Sequence, residues 1–91
     1  MRERDIDKAL CQRVKELGGT CEKFASISRR GVPDRLVILP HNVIIFVELK
    51  APGAKPTPQQ SHDHKKRLAL GCDVRVIDSL EKVNAFPNLT P

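Results

Sequence analysis

The sequence predicts an α/β fold in which a mixed sheet is flanked by helices, and three patterns carry that prediction. Apolar residues recur at helical spacing near the N-terminus. Two short runs rich in β-branched residues, 35–39 and 43–50, are joined by a turn-forming triplet. The strand-helix-strand step from residue 43 to residue 77 is long enough for a parallel crossover. The predicted order is an α-β-β-β-α-β core followed by a short C-terminal helix.

The first predicted element is an amphipathic helix over roughly residues 3–17. Its apolar positions follow the i, i+4, i+8, i+11 pattern, with charged residues between them: Ile6, Leu10, Val14 and Leu17. The Gly18-Gly19 pair supplies a stop. Residues 20–27, "TCEKFASI", then predict a short strand, and a basic loop follows it.

The clearest predicted element is a hairpin in which "PHN", residues 40–42, connects "RLVIL" to "VIIFVELK". If this loop has three residues, Asp34 faces Glu48 across the two strands. Facing side chains have Cβ atoms about 4.5–5.5 Å apart, and Lys50 projects to the same face, so the three side chains converge. Pro33 cannot donate to a ladder, and this predicts that the strand begins at Asp34.

A second long helix is predicted after the Pro/Gly-rich connection "APGAKPTP". Thr57 is its predicted N-cap, with Pro58 at the first helical position and Gln60 at the third, which is the capping-box pattern. We expect this helix to end at Gly71. These residues therefore supply the crossover between two parallel strands.

The C-terminal part predicts a strand over residues 73–78, "DVRVID", and then a short helix capped by Asp78 or Ser79. A chain of 91 residues is too short to build a second core. We therefore expect residues 1–91 to form one domain. At this size, association with a second subunit would add useful stability.

The charge balance favours a polyanionic partner such as nucleic acid. Lysine and arginine outnumber aspartate and glutamate by 16 to 11, and the isoelectric point is about 9.5. Tyrosine and tryptophan are absent and there are three phenylalanines. This composition argues against a single-strand reader built on aromatic stacking and favours contacts to the phosphate backbone.

The three cysteines, Cys11, Cys21 and Cys72, are far apart and show no CxxC or CxxH spacing. They suggest reduced thiols rather than a disulfide framework or a structural zinc site. The charged N-terminal stretch lacks the apolar segment of a signal peptide, and no apolar run approaches the roughly 18 residues of a membrane span. We expect a cytoplasmic protein.

Two facing carboxylates repel each other, so near neutral pH they share a proton or hold a cation. A hard divalent ion, Mg²⁺ or Mn²⁺, suits Asp34 and Glu48 together with a backbone carbonyl and water. Leu49 points its side chain the other way and can lend that carbonyl. The Lys50 ammonium can orient an attacking water or stabilise charge on a phosphate transition state, so hydrolysis of a phosphodiester fits these groups.

These residues carry a resemblance to a known family. "PD" at 33–34 followed by "ELK" at 48–50 resembles the PD-(D/E)XK nuclease signature. The resemblance implies the restriction-endonuclease-like fold, whose α-β-β-β-α-β core has the same order as the elements predicted above. A wider set of segments resembles the virus-type replication-repair nuclease domain, VRR-NUC, over nearly the whole chain: the helix opening with Glu3, "RRGVPDRLVIL", "VELKAPG", "PQQSHDH" and "LGCDVRVIDS".

The resemblance implies a Mg²⁺- or Mn²⁺-dependent DNA endonuclease. Asp34 and Glu48 correspond to metal ligands, Lys50 to the catalytic lysine, and Gln60 to an active-site residue. Glu3 would contribute to the metal site directly or through water. Stand-alone members resemble phage-type homodimers that cut branched DNA, which predicts a Holliday (four-way) junction resolvase. If a phage encodes the protein, the expected location is the host cytoplasm. The alternatives are a less selective nuclease on flaps, nicks or duplex, and a catalytically inactive basic DNA-binding module.

Structural explanations compete with these roles. Asp34, Glu48 and Lys50 could form a surface salt-bridge cluster worth about 0–1 kcal/mol. Glu3 could simply favour the positive end of its helix dipole, and Gln60 could act only in the capping box.

Several basic residues are candidates for DNA contacts: Arg29, Arg30, Arg35, Lys55, Lys65 and Lys66. The arginines flank the predicted site, where guanidinium groups would hold the phosphates on either side of the scissile bond. A solvated charge run is the alternative. His62 and His64 are two residues apart and so do not form a zinc pair, while His64 can pack or bond near the site.

Overall fold

The computed structural model describes residues 1–88. Within that range the chain forms three helices and four strands in the predicted order α-β-β-β-α-β-α, which confirms the α/β class. The elements are α1 (Glu3–Glu16), β1 (Thr20–Lys23), β2 (Arg35–Leu39), β3 (Val43–Leu49), α2 (Pro58–Ala69), β4 (Asp73–Ile77) and α3 (Leu80–Ala85).

The four strands form one mixed sheet in the order β1-β2-β3-β4. The first two junctions are antiparallel, and β3 pairs with β4 in parallel through the α2 crossover, as predicted. In the β2–β3 hairpin Leu39 pairs with Val43, so the loop has the expected three residues, 40–42. Continuing this register one residue beyond the Arg35–Val47 pair places Asp34 opposite Glu48.

The hydrophobic core lies between one face of the sheet and the helices α1 and α3. The predicted stripe of α1 is buried at Ile6, Leu10 and Val14, each of which is fully inaccessible to solvent. Alternate residues of the strands meet this stripe, because successive side chains of a strand point to opposite faces. The remaining buried apolar residues are Val37, Leu39, Ile45, Val47, Leu49, Ile77, Val83 and Phe86.

Helix α2 contacts the opposite face of the sheet and begins as the sequence predicts. The Thr57 hydroxyl accepts a hydrogen bond from the Gln60 N–H at 3.2 Å, and the Thr57 N–H donates to Gln60 Oε1 at 2.9 Å. The helix ends at Ala69, two residues before the predicted end, because Gly71 has already turned to φ +89°. No helix within residues 1–88 is both long and apolar enough to cross a membrane.

Three boundaries differ from or sharpen the predictions. Strand β2 begins at Arg35 rather than at Asp34, which lies in a bend after Pro33. The Asp34 backbone carbonyl still accepts a hydrogen bond from the Phe24 N–H at 2.9 Å. Strand β1 ends at Lys23, well short of Ile27, which is fully exposed and so gains nothing from strand pairing. Of the two predicted N-cap residues of α3, Asp78 and Ser79, the N-cap is Ser79.

A pair of identical substitutions tests where the core lies. Leu10→Ala should lower the free energy of unfolding by about 2–5 kcal/mol, because it opens a cavity beneath the sheet. Leu70→Ala removes the same atoms from a side chain that is 81% exposed, and it should cost about 0.5 kcal/mol or less. Urea denaturation of both variants measures the difference, and equal losses would contradict the assignment of the core.

Candidate active site

The two predicted carboxylates meet at the open end of the hairpin. Glu48 lies near the end of β3 with only 1% of its surface exposed, and Asp34 immediately precedes β2. Asp34 Oδ2 accepts a hydrogen bond from the Leu49 N–H at 2.8 Å. This bond satisfies the Leu49 N–H beyond the last ladder pair, Arg35–Val47, and it fixes the Asp34 carboxylate beside the Glu48 strand.

Three side chains surround the Glu48 carboxylate. Gln60 Nε2 donates to Oε2 at 3.2 Å, and Lys50 Nζ lies 3.9 Å from the same oxygen. His64 Nε2 lies 3.5 Å from Oε1. Glu48 Oε1 and His64 Nε2 are both buried, and neither has a hydrogen-bond partner within the described part of the chain. An unsatisfied buried carboxylate oxygen is costly unless a further group completes the site.

The ionisation of this cluster follows from its burial. Loss of solvent around Glu48, hydrogen bonding to Asp34 and the Asp34 charge together raise the pKa of Glu48 to about 8, against the opposing effect of Lys50. Burial also lowers the pKa of His64, so its imidazole is neutral near neutral pH. The protein without a cation therefore holds a proton on Glu48 beside a neutral histidine.

Gln60 takes part in both of the roles that its sequence context allows. Its Oε1 accepts from the Thr57 N–H in the capping box, and its Nε2 donates to Glu48. Because the first bond fixes the orientation of the amide group, the donor end points at the carboxylate. The helix cap therefore positions the amide group that contacts Glu48.

A cleft of about 390 Å³ opens between the start of α1 and the ends of β2 and β3. Glu3, the first residue of α1, lines this cleft together with Asp34 and Leu49. Glu3 is exposed, and its charge adds to the rise in the pKa of Glu48. The other residues that line the cleft are Arg4, Asp7, Lys23, Phe24, Ala25 and Arg35.

The donor set suits a hard divalent cation. Within residues 1–88 no group of three His, Cys, Asp or Glu side chains is close enough to hold a metal ion by itself. Three carboxylates of the predicted set, Glu3, Asp34 and Glu48, are thus not gathered around one point. Asp34 and Glu48 with the Leu49 carbonyl remain the predicted direct donors, and Glu3 lies at the edge of the cleft. The unsatisfied Glu48 oxygen and the repulsion between two adjacent carboxyls are both relieved by a cation, so the residues fit such an ion.

The three predicted arginines lie in different environments. Arg35 forms a two-pronged ion pair with Asp7, with both N–O distances 2.8 Å, and only 13% of its side chain is exposed. Arg29 pairs with Asp63 at 3.0 Å and remains 41% exposed. Arg30 is exposed. The predicted lysines, Lys55, Lys65 and Lys66, are also exposed.

Asp63 was not among the predicted site residues, and it connects α2 to the segment that leads into Asp34. This carboxylate is 1% exposed, and it accepts hydrogen bonds from Arg29 at 3.0 Å and from Arg67 at 2.7 Å. The Arg67 guanidinium in turn lies over the rings of Phe24 and Phe46, at 5.1 and 4.8 Å from their centroids. The i, i+4 spacing of Asp63 and Arg67 was the available signal in the sequence.

Comparison with known proteins agrees with this geometry. A solved structure described as "VRR_NUC domain" superposes with a TM-score of 0.89 and 36% sequence identity, covering 98% of this chain and 97% of that one. "Putative nuclease p44" of Acyrthosiphon pisum secondary endosymbiont phage 1 is 52% identical over 87 residues, which span 96% of this chain and 94% of that protein. The chain belongs to the VRR-NUC nuclease family. This VRR-NUC domain matches none of the family models against which it was compared.

The raised pKa of Glu48 predicts how the stability of the metal-free domain changes with pH. The folded protein keeps the proton up to about pH 8, whereas the unfolded chain releases it near 4.5. Between these values the unfolded state binds fewer protons, so the unfolding free energy falls as pH rises. Glu48→Gln should remove this decline and be more stable than the wild type at pH 8 by roughly 2–4 kcal/mol.

Urea denaturation in EDTA at intervals from about pH 5 to about pH 9 measures this difference. Glu16→Gln, at an exposed position of α1, is the control for the change in net charge. The unfolding free energy of this variant should change with pH in parallel with that of the wild type. If the Glu48→Gln curve also runs parallel, the buried carboxyl does not have the ionisation described here.

Proposed function

We propose that this VRR-NUC domain is a Mg²⁺- or Mn²⁺-dependent endonuclease that hydrolyses phosphodiester bonds in DNA. The observation that carries the proposal is the buried Glu48 carboxylate, which lies beside Asp34 with one oxygen unsatisfied and Lys50 at 3.9 Å. A salt-bridge cluster at the surface would not account for this burial. Glu48 and Asp34 are arranged to receive a cation, and Lys50 to act beside it.

Four groups would hold the ion: the Asp34 and Glu48 carboxylates, the Leu49 carbonyl, and Glu3 directly or through water. When bound, Mg²⁺ or Mn²⁺ activates water for attack on phosphorus and neutralises charge on the phosphate. Glu48 must lose its proton to become a ligand, so the affinity for the ion should increase as pH approaches 8. His64, held neutral by burial, places its Nε2 3.5 Å from Oε1 of that carboxyl.

Lys50 and Gln60 supply the remaining catalytic groups. The Lys50 ammonium orients the attacking water and stabilises the charge that develops on the phosphate oxygens. Gln60 keeps the Glu48 carboxylate in its orientation through the 3.2 Å hydrogen bond, and its position at the start of α2 lets it contact water or phosphate. Asp63, paired with Arg29 and Arg67, holds the segment before Asp34 against α2. This contact supports the position of the Asp34 carboxylate relative to that of Glu48.

The net charge of +5 and the exposed basic side chains support DNA as the substrate. Arg30 and the lysines Lys55, Lys65 and Lys66 present charge to solvent, and Arg29 is partly exposed. Arg35 lines the cleft, although its guanidinium is engaged by Asp7. We infer that these residues contact phosphates on either side of the scissile bond, with Arg35 keeping its pair with Asp7.

We further propose that the domain acts as a homodimer on four-way junctions. Two active sites related by a two-fold axis match a junction that needs paired nicks. Ile38 and Ile44 pair across β2 and β3 on the face that carries Glu48, and they are 38% and 48% exposed. Helix α2 leaves this part of the sheet open, so the apolar pair is available to a second copy.

Metal-dependent cleavage tests the proposed activity. Labelled junction, flap, duplex and single-stranded DNA are incubated with the protein in Mg²⁺, Mn²⁺ or EDTA. We expect symmetric nicks at the junction in either metal and none in EDTA. Lys50→Ala should reduce the rate by about 10²–10⁴-fold, because it removes a group that acts in the transition state. Lys8→Ala, at an exposed position of α1, should cleave like the wild type.

The outcomes separate the alternatives. Metal-dependent cuts on flaps, nicks or duplex with no preference for the junction would indicate a less selective nuclease. Binding to DNA without cleavage, unchanged by Lys50→Ala, would leave only a basic DNA-binding module and would overturn the catalytic proposal.

Substitution on the exposed sheet face tests the dimer. Ile44→Lys should convert a dimer into a monomer in light scattering coupled to size exclusion, because it places a charge in the apolar contact. Leu70→Lys, at an exposed position outside this face, should remain dimeric. A wild-type protein that is monomeric at tens of micromolar and still resolves junctions would contradict the symmetry argument.

A further inference from the structure

Two thiols lie side by side where α1 contacts β1. Cys11 Sγ, on the helix, is 3.2 Å from Cys21 Sγ, on the edge strand. Both residues are free cysteines and both are partly exposed. Contact between two sulfurs ten residues apart requires the turn at Gly18 to bring the strand back along the helix. Neither cysteine belongs to the groups that surround Glu48.

The thiol pair has a polar neighbourhood. Cys11 Sγ lies 3.8 Å from a carboxylate oxygen of Asp7, and the Cys21 carbonyl accepts a hydrogen bond from Arg35 at 3.4 Å. The third cysteine, Cys72, precedes β4 at the opposite edge of the sheet. It therefore provides an internal control for non-specific thiol reactivity.

We propose that Cys11 and Cys21 form a reversible dithiol–disulfide site that is oxidised by a small disulfide, for which oxidised glutathione is the probe. The Cys11 thiolate attacks one glutathione sulfur, which breaks the glutathione disulfide and releases one glutathione thiolate. The Cys21 sulfur then attacks the Cys11 sulfur and releases the second. The two cysteines lose two electrons and two protons, and oxidised glutathione becomes two reduced glutathione molecules.

The surroundings set the order of attack. Burial, the hydrogen bond with Cys11 and the charge of Cys11 raise the pKa of the Cys21 thiol to about 12, against the opposing effect of Arg35. The thiolate is the attacking species in disulfide exchange, so Cys21 is a poor first nucleophile. Cys11 reacts first, and Cys21 resolves the mixed disulfide because it is already in contact.

The cross-link joins the first helix to the edge strand. Strand β1 has four residues and pairs only with β2 in the described sheet, so it is weakly held. A bond between residues 11 and 21 closes a short loop and reduces the freedom of the unfolded chain. Oxidation should therefore raise the melting temperature by roughly 10 °C, and dithiothreitol should reverse the change.

Peptide mapping of the full chain tests the site directly. Trypsin places the three cysteines on separate peptides, residues 9–13, 16–23 and 68–75. After treatment with oxidised glutathione, acid quenching and digestion without reductant, we expect the first two peptides to be joined. Cys72→Ser should give the same link and the same shift in melting temperature.

Two further variants test the order of attack. Cys21→Ser should accumulate one glutathione on Cys11. Cys11→Ser should be modified at Cys21 more slowly, because burial still raises the pKa of the Cys21 thiol when the Cys11 sulfur is removed. The site is overturned if oxidised wild-type protein keeps Cys11 and Cys21 as thiols or as separate glutathione adducts, or if only Cys72 reacts. The wild-type peptide map gives this answer even if a serine variant does not fold. The outcome is independent of the proposed nuclease activity.

Discussion

The burial of one carboxylate, that of Glu48, is the constraint on which the arrangement of the candidate site depends. Glu48 is 1% exposed, and a buried carboxyl is tolerated only where neighbouring groups supply hydrogen bonds or charge. Gln60 and Lys50 approach one oxygen, while the other remains unsatisfied beside His64. With Asp34 adjacent, the site favours a bound cation over a bare anion, and this is the physical basis of the proposed chemistry.

Two features of the fold build that environment. The hairpin register places Asp34 opposite Glu48, and the parallel crossover lays α2 over the same face of the sheet. The capping box of α2 then orients the amide of Gln60. Asp63 fastens the segment that precedes Asp34 to the same helix. Helix capping, strand pairing and a buried ion pair, each ordinary in itself, together set the geometry of one site.

Charge pairing changes how the basic composition is understood. Arg35 and Arg29 are both engaged by aspartates, so the total of 16 lysines and arginines overstates the number of cations that are free to meet phosphate. Exposed residues such as Arg30 and Lys65 supply the accessible charge. The same pairing gives Arg35 a structural role at the cleft, because it links α1, through Asp7, to the backbone of β1 at Cys21.

The local elements and the facing of Asp34 and Glu48 could be predicted from the sequence, because helical spacing, β-branched runs and a three-residue turn act over short separations. Only the tertiary structure decided the contacts made by side chains far apart in the chain. The approach of His64 to Glu48, the pairing of Asp63 with Arg29 and the contact between Cys11 and Cys21 all depend on how the helices dock on the sheet. Such docking follows from the packing of the whole core, which no local pattern encodes.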